Sequence, residues 1–257
     1  MDLAWYVVGF LVLAALVAGW VDAVVGGGGL IQLPSLLIGL PDASVPTISG
    51  TNKISAVAGT AMATGIYLRK VKVNWALALP LVAAAYLGST LGAGLVTLIP
   101  REAFTPIVLV ALVAVGIYTV RKKNMGLEHA PRHRGLKMVA VLVAIGLVVG
   151  VYDGFLGPGT GSFFVIGMVA LLGYGFLQAS AMAKLANLTT NIAAIAVLRH
   201  HISWGIGLTM AVANLTGGFL GAQMAVRLGN SFVRKVFLVV VSILVVRLGW
   251  DTISMLW

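Results

Sequence analysis

Two stretches of the chain, Val73 to Pro100 and Gly154 to Ala183, contain no Asp, Glu, Lys or Arg. Each exceeds the roughly 20 apolar residues that cross a bilayer core of about 30 Å. The rest of the sequence does not offset them. Charged residues occupy 9% of the 257 positions, against about a quarter in a soluble domain, so a folded globule made from this chain would have too few groups to wet its surface. These runs predict an all-α polytopic membrane protein.

The net charge of +10 does not point to nucleic acid, because most of the positive charge falls in loops between apolar segments. Aromatic residues, 8% of the chain, are not interleaved with the basic runs as a stacking platform requires. Cysteine is absent, which excludes a disulfide framework, a thiolate metal site and a cysteine nucleophile. The first apolar segment lacks a basic flank, since Asp2 is the sole charge before Asp22, so a cleaved signal peptide is not expected.

Apolar segments are expected over Leu3–Val21, Leu30–Leu40, Thr47–Leu68, Trp75–Ile99 and Ala103–Val120, and again over Met138–Tyr152, Ser162–Gly173, Leu177–Leu198, Trp204–Val226 and Phe232–Trp250. Each half thus holds four long segments and one short one. A dozen helical residues reach roughly 18 Å, too little to span the core alone. Both short segments follow a glycine-rich break, which reads as a discontinuous helix, tolerated in membranes where the broken backbone is buried in protein or lines a polar cavity.

The halves repeat one another. Gly19-Trp20-Val21-Asp22 through Gly26-Gly27-Gly28 recurs 131 residues later as Gly150-Val151-Tyr152-Asp153 through Gly157-Pro158-Gly159, and the same shift carries Ser49 onto Ser180 and Lys53 onto Lys184. The expected organisation is a first transmembrane repeat over residues 1–120, a basic cytoplasmic linker over 121–137 with six Lys or Arg residues, and a second repeat over 138–257. Basic loops are held in the cytoplasm. If each short segment carries the chain back, the repeats are inverted, both termini lie outside, and Arg69, Lys70, Lys72, Arg227, Arg234 and Lys235 join the linker inside. If the short segments are re-entrant, the repeats run parallel and the last three move outside. The charge distribution favours inversion.

Setting aside loop and terminal charges leaves Asp22, Lys53, Asp153 and Lys184, two acids and two bases related by the repeat. A charge at a helix centre costs at least about 2.5–3.5 kcal/mol to insert, so it faces a partner or a wet cavity. Lys53 follows Thr51 and Asn52, while Lys184 shares a helical stripe with Asn187 and Asn191. An ammonium among amide and hydroxyl donors suits an oxyanion; pairing of each Lys with an Asp to hold the halves together is the competing reading. The runs Gly26, Gly27, Gly28, Gly29 and Gly157, Pro158, Gly159, Thr160, Gly161 lead into the short helices, whose N-termini favour anions. Close helix packing through small residues is the alternative for these runs, and the preferred reading for Gly88-x-x-x-Gly92 and Gly217-x-x-x-Gly221. Asp22 and Asp153 are candidates for capping, charge balance or uptake of a coupling proton. No nucleotide fingerprint, catalytic constellation or metal motif appears, and His200 and His201 fall at a segment end, so no catalytic residue, metal site or cofactor is expected.

The sequence Gly26-Gly27-Gly28-Gly29-Leu30 with Pro34, then Gly50-Thr51-Asn52-Lys53, and Gly154-Phe155 through Gly161 in the second half resembles the TauE/SafE family of sulfite and sulfonate permeases, in particular its YfcA-like branch. The resemblance covers essentially the whole length. It implies a multi-pass transporter of the bacterial inner membrane for small sulfur-containing or organic anions. Ala183 stands where the first half has Asn52, which sets the two half-sites apart. The combined expectation is a permease working by alternating access, with an anion channel as the alternative. Lys53 and Lys184 supply charge, the glycine runs and Thr160 present backbone donors, and Asn52, Asn187, Thr51 and Gln32 give neutral hydrogen bonds. Its partners are the anion and the lipid bilayer, with a homodimer admissible.

Overall fold

The computed structural model describes residues 4–98 and 129–256, and among them every regular element is helical. The expected segment Ala103–Val120 and the linker up to residue 128 lie outside the described residues. The helices are α1 (Trp5–Val25), α2 (Gly29–Gly39), α3 (Val45–Lys70), α4 (Trp75–Leu95), α5 (Gly135–Phe155), α6 (Thr160–Leu172), α7 (Phe176–Leu198) and α8 (Trp204–Leu256). The last element covers both Trp204–Val226 and Phe232–Trp250. They are separate helices joined at Gly229, whose φ of 72° and ψ of −164° only glycine adopts without strain.

Local signals explain the boundaries. Ser44 caps α3 by accepting from the Thr47 amide, with Pro46 in the first turn, where its missing N–H costs nothing. Asn74 Oδ1 caps α4 through the Ala76 amide at 3.0 Å. Arg69 and Lys70 close α3 at the negative end of its dipole. Among the described residues five helices are long and apolar enough to cross a membrane: Trp5–Val25, Trp75–Leu95, Gly135–Phe155, Phe176–His201 and Trp204–Val236. The 26-residue α3 is long enough, roughly 39 Å, but its polar run from Ser49 to Lys53 keeps it from that group. Other helices shield it: Ser49 through Ile54 are all buried.

Glycine faces decide which helices pair. Cβ atoms added at Gly88 and Gly92 of α4 would sit 2.5 and 2.1 Å from the carbonyl oxygens of Leu147 and Val151 on α5, and Gly146, Gly150 and Gly154 return the contact to Leu81, Ala85 and Ser89. The two helices run parallel. Gly217 and Gly221 of α8 meet the carbonyls of Leu16 and Trp20 on α1 in the same way, again in parallel. Space is therefore not divided as chain order would divide it. One bundle comprises α1, α2, α3 and the first part of α8; the other comprises α4, α5, α6 and α7. Each takes its fourth helix from the other end of the sequence, and the bundles meet chiefly where α3 runs against α7.

The short helices return along the long ones they follow. Gly28 lies against Ala18 and Asp22, while Gly39 lies against Leu11, so α2 runs antiparallel to α1. Gly167 against Ile145 and Gly173 against Ala130 and Arg132 place α6 the same way along α5. The segment before α5 is strapped to the end of α6 by hydrogen bonds from Ala130 N to Gly173 O and from Arg132 N to Leu172 O. Asn230 accepts from the Leu177 amide at 2.6 Å, which brings the end of the first part of α8 to the same place. One end of the protein thus collects Arg132, Arg134, Lys137 and Arg227, together with Arg69, Lys70 and Lys72, because α4 leaves the end of α3 and runs parallel to α5.

Candidate functional site

The two glycine breaks meet at the centre. Gly26 ends α1 in the left-handed conformation, φ 81°, with its N–H donating to Asp22 O at 2.7 Å. Its carbonyl accepts from the Ser162 amide at 3.1 Å, and Ser162 Oγ donates to Val25 O at 2.8 Å. An added Cβ at Gly26 would stand 2.2 Å from the Gly161 carbonyl carbon. Glycine is needed there for both its conformation and its lack of a side chain.

The four membrane-level charges form two ion pairs between the bundles. Lys53 on α3 lies 2.6 Å from Asp153 on α5, and Lys184 on α7 lies 2.9 Å from Asp22 on α1. Each lysine is paired with the acid from the other half of the sequence. Both are the ninth residue of their helices, and those helices run in opposite directions, so each ammonium's helix position is roughly 12 Å in from opposite ends of the structure. Unscreened charges at this depth are stabilised by each other, and removing one would leave its partner at a cost of about 3–5 kcal/mol.

The pairs differ in detail. The Lys184 ammonium donates to the Asp22 carboxylate and also makes a short hydrogen bond to the Asp22 main-chain carbonyl. Asp22 further receives Thr60 Oγ1 at 3.5 Å. Lys53 has the Asp153 carboxylate as its polar partner, in an ion pair that adds no main-chain contact among the described residues.

Between the bundles is a cavity with about 20 Å³ of free space, room for about one water molecule. Of the predicted site residues, Asp22, Gly26, Gly29, Asn52, Lys53, Asp153, Gly157, Thr160, Gly161 and Asn187 line it, and Ala56 and Asn191 complete the wall. The first residues of both short helices, Gly29 and Thr160, thus face the same space. Two amide atoms of the lining, Asn52 Oδ1 and Asn191 Nδ2, are buried without a hydrogen-bond partner. Lys184 is not in the lining; its acid is.

Gln32 and Thr51 stand outside the cavity wall with their polar atoms engaged. Gln32 Nε2 donates to Asn52 O at 3.2 Å while its Oε1 accepts from Asn214 Nδ2 at 2.8 Å. Thr51 Oγ1 accepts from the Ser203 amide at 3.0 Å, fixing the entry to α8. Gly27, Gly28 and Gly159 also lie off the wall. Asn214, which sequence reasoning did not single out, ties α8 to Gln32 and to Ala15 O. Its available signal is an amide within the apolar segment Trp204–Val226, which also holds Gln223. Asn191 was visible as part of the Lys184 stripe, and the structure promotes it to the wall itself. Among the described residues no group of His, Asp or Glu is placed to hold a metal ion.

This arrangement offers an ammonium, an unpartnered amide N–H and two helix N-termini to one small space, a donor set suited to an oxyanion. The comparisons with known proteins agree in kind. The chain is 34% identical to a probable membrane transporter protein, ORF9, of Sinorhizobium sp over 97% of its own length and 95% of that protein's. It is 33% identical to a probable membrane transporter protein of Haemophilus influenzae, covering 98% of each, and 30% identical to the probable membrane transporter protein YfcA of Escherichia coli K12, covering 95% of this chain and 90% of that one. No solved structure matches. The family model described as "Sulfite exporter TauE/SafE" matches residues 11–248, and with that match spanning nearly the whole sequence and five apolar spans in the fold, the chain belongs to the sulfite exporter TauE/SafE family of multi-pass membrane transporters.

Proposed function

We propose that the protein is a secondary transporter that carries small anions, of the sulfite, sulfonate or related organosulfur class, across the bacterial inner membrane by alternating access. The single observation that carries this reading is the small polar cavity at the meeting of the bundles, with Lys53, Asn191 and the N-termini of α2 and α6 on its wall. Lys53 supplies the positive charge, Asn187 and Asn191 the neutral hydrogen bonds, and Gly26, Gly29, Thr160 and Gly161 the close backbone. Gln32 and Thr51 act one step back, holding Asn52 and the start of α8 in place. The cavity holds about one water, so an anion enters only when the bundles part. That small volume favours a carrier over a channel, which needs a continuous path.

Inverted repeats account for the antiparallel course of the two lysine helices and for the gathering of Arg69, Lys70, Lys72, Arg132, Arg134, Lys137 and Arg227 at one end, which is then the cytoplasmic face. The carrier activity is checked with labelled sulfite in proteoliposomes. Saturable uptake accelerated by internal unlabelled sulfite is expected, and Lys53→Ala should abolish it while the protein still inserts. Undiminished flux in that variant would remove the site.

A further inference from the structure

Resting on that reading of the cavity, we propose that the anion takes the place of Asp153 on Lys53 and that Asp153 gives way by accepting a proton, so that each monoanion moves with one proton. The charges at the site set the problem. Asp22, Asp153, Lys53 and Lys184 sum to zero, and a monoanion added to them unchanged would leave one uncompensated negative charge among buried groups.

Geometry selects which acid yields. Lys184 is held twice by Asp22, through the carboxylate and the main-chain carbonyl, and its side chain is off the cavity wall. Lys53 is on the wall and has a single carboxylate partner. An anion arriving in the cavity therefore meets Lys53, and the group it displaces is Asp153. That carboxylate is 1% exposed and has no second cation among the described residues. The ionisable groups facing it are Lys53 from α3 and Tyr152 beside it on α5, whose hydroxyl is committed to Pro158 O at 2.6 Å; across the cavity stand Asp22 of α1 and Lys184 of α7, already bound to each other. Helices α2 and α6 contain no ionisable residue, and Tyr86 of α4 is exposed on the outer face. Among the described residues no further group is placed to neutralise Asp153, and a proton does so.

The two orphaned amide atoms fit the same exchange. An oxyanion has acceptors alone, so it satisfies Asn191 Nδ2 but not Asn52 Oδ1. A protonated Asp153 brings an O–H donor into the cavity that Asn52 Oδ1 also lines. Anion and proton together satisfy what either alone leaves unpaired. The proton comes from water on the side where the anion enters, forms an O–H bond on an Asp153 carboxylate oxygen, and returns to water on the other side when the contact with Lys53 re-forms; no other covalent bond changes.

Equilibrium binding of labelled methanesulfonate, a monoanion across the range used, tests the exchange in purified protein between about pH 5 and pH 8. If one proton is taken up per anion, wild-type affinity falls about tenfold per pH unit as pH rises through the range in which Asp153 must be protonated on binding. Asp153→Asn, which is neutral at every pH, should bind with an affinity that does not vary with pH, and Asp42→Asn, an acid exposed in the loop before α3, should keep the wild-type slope. In proteoliposomes a pH gradient should drive accumulation, and a valinomycin potential alone should not. Wild-type binding with a flat pH dependence, a sloping Asp153→Asn, or accumulation driven by potential alone overturns the proton exchange and leaves the anion site standing. Failure of the wild type to bind either methanesulfonate or sulfite at any pH overturns the anion site itself, and the exchange with it.

Discussion

Replacing Lys53 by Met separates what the lysine does for stability from what it does for transport. The side chain is 4% exposed and its partner carboxylate 1%, so Lys53→Met leaves Asp153 buried beside an apolar group. Truncating one member of such a pair costs about 3–5 kcal/mol. Taking roughly 2 cal/mol/K per residue for the unfolding entropy, a loss of that size lowers the apparent unfolding temperature of a chain this long by about 6–9 °C. The double variant Lys53→Met with Asp153→Asn removes both charges and keeps volume, so it should recover most of that loss, because the ion pair's Coulomb gain and its desolvation cost nearly cancel. Transport should not recover. Thermal unfolding of the purified proteins gives the first comparison and labelled sulfite uptake the second. A single variant as stable as the double would show that the buried pair does not exist in the resting protein, and a double variant that transports normally would show that Lys53 does not hold the anion.

Gly26→Ala should lose about 2–5 kcal/mol, the sum of a left-handed backbone penalty and an overpacked contact, since φ is 81° and the new Cβ falls 2.2 Å from Gly161; protein recovered from the membrane should drop accordingly. Asn214→Leu strips Gln32 Oε1 of its donor and should cost about 1–3 kcal/mol in thermal unfolding, with Lys53 chemistry intact. The chain contains no cysteine, so Ala56→Cys introduces a single thiol on the cavity wall. A membrane-impermeant thiol reagent should label it slowly from each side in turn, with methanesulfonate slowing the reaction; fast labelling from one side regardless of anion would contradict alternating access.

Much of this was legible in the sequence, for reasons that can be assigned to particular residues. Helix positions followed from uncharged runs such as Val73 to Pro100, because lipid permits few alternatives to a helix there. The 131-residue repeat brought out Lys53, Lys184, Asp22 and Asp153 as one set, and the structure brings all four together. Pairing of each Lys with an Asp is one of two readings of these charges, and the structure contains that pairing, with Lys53 also on the cavity wall and Lys184 off it. Three things were hidden. The commitments of Gln32 and Thr51 depend on Asn214 and Ser203, which lie 182 and 152 residues away in the chain. The unequal treatment of the two ammonium groups turns on a main-chain carbonyl, at Asp22, that no side-chain pattern encodes. The exchange of fourth helices between bundles depends on which glycine face meets which backbone. Gly88 and Gly92 announced a helix contact but not that its partner would be Leu147 and Val151 of the other repeat.

That exchange bears on where the protein can move. Within each bundle the contacts between α4 and α5, and between α1 and α8, are backbone against backbone, with no side chain between that could change rotamer. Sliding there would have to drive glycine Cα atoms past carbonyls, so these interfaces hold each bundle rigid. Between the bundles the contacts are of another kind: α3 against α7, two ion pairs, and the Gly26–Gly161 approach at the middle. Lys53 and Lys184 enter from opposite ends, so opening the cavity toward one end parts one lysine's pair and can leave the other closed. The backbone contact of Gly26 with Gly161 and Ser162 lies between them as a fulcrum. On the proposed carrier mechanism, a rocking motion would divide the protein into the two bundles rather than the two halves of the sequence, and the proposed anion site would lie at their seam, where an ion pair has to break for the anion to be admitted.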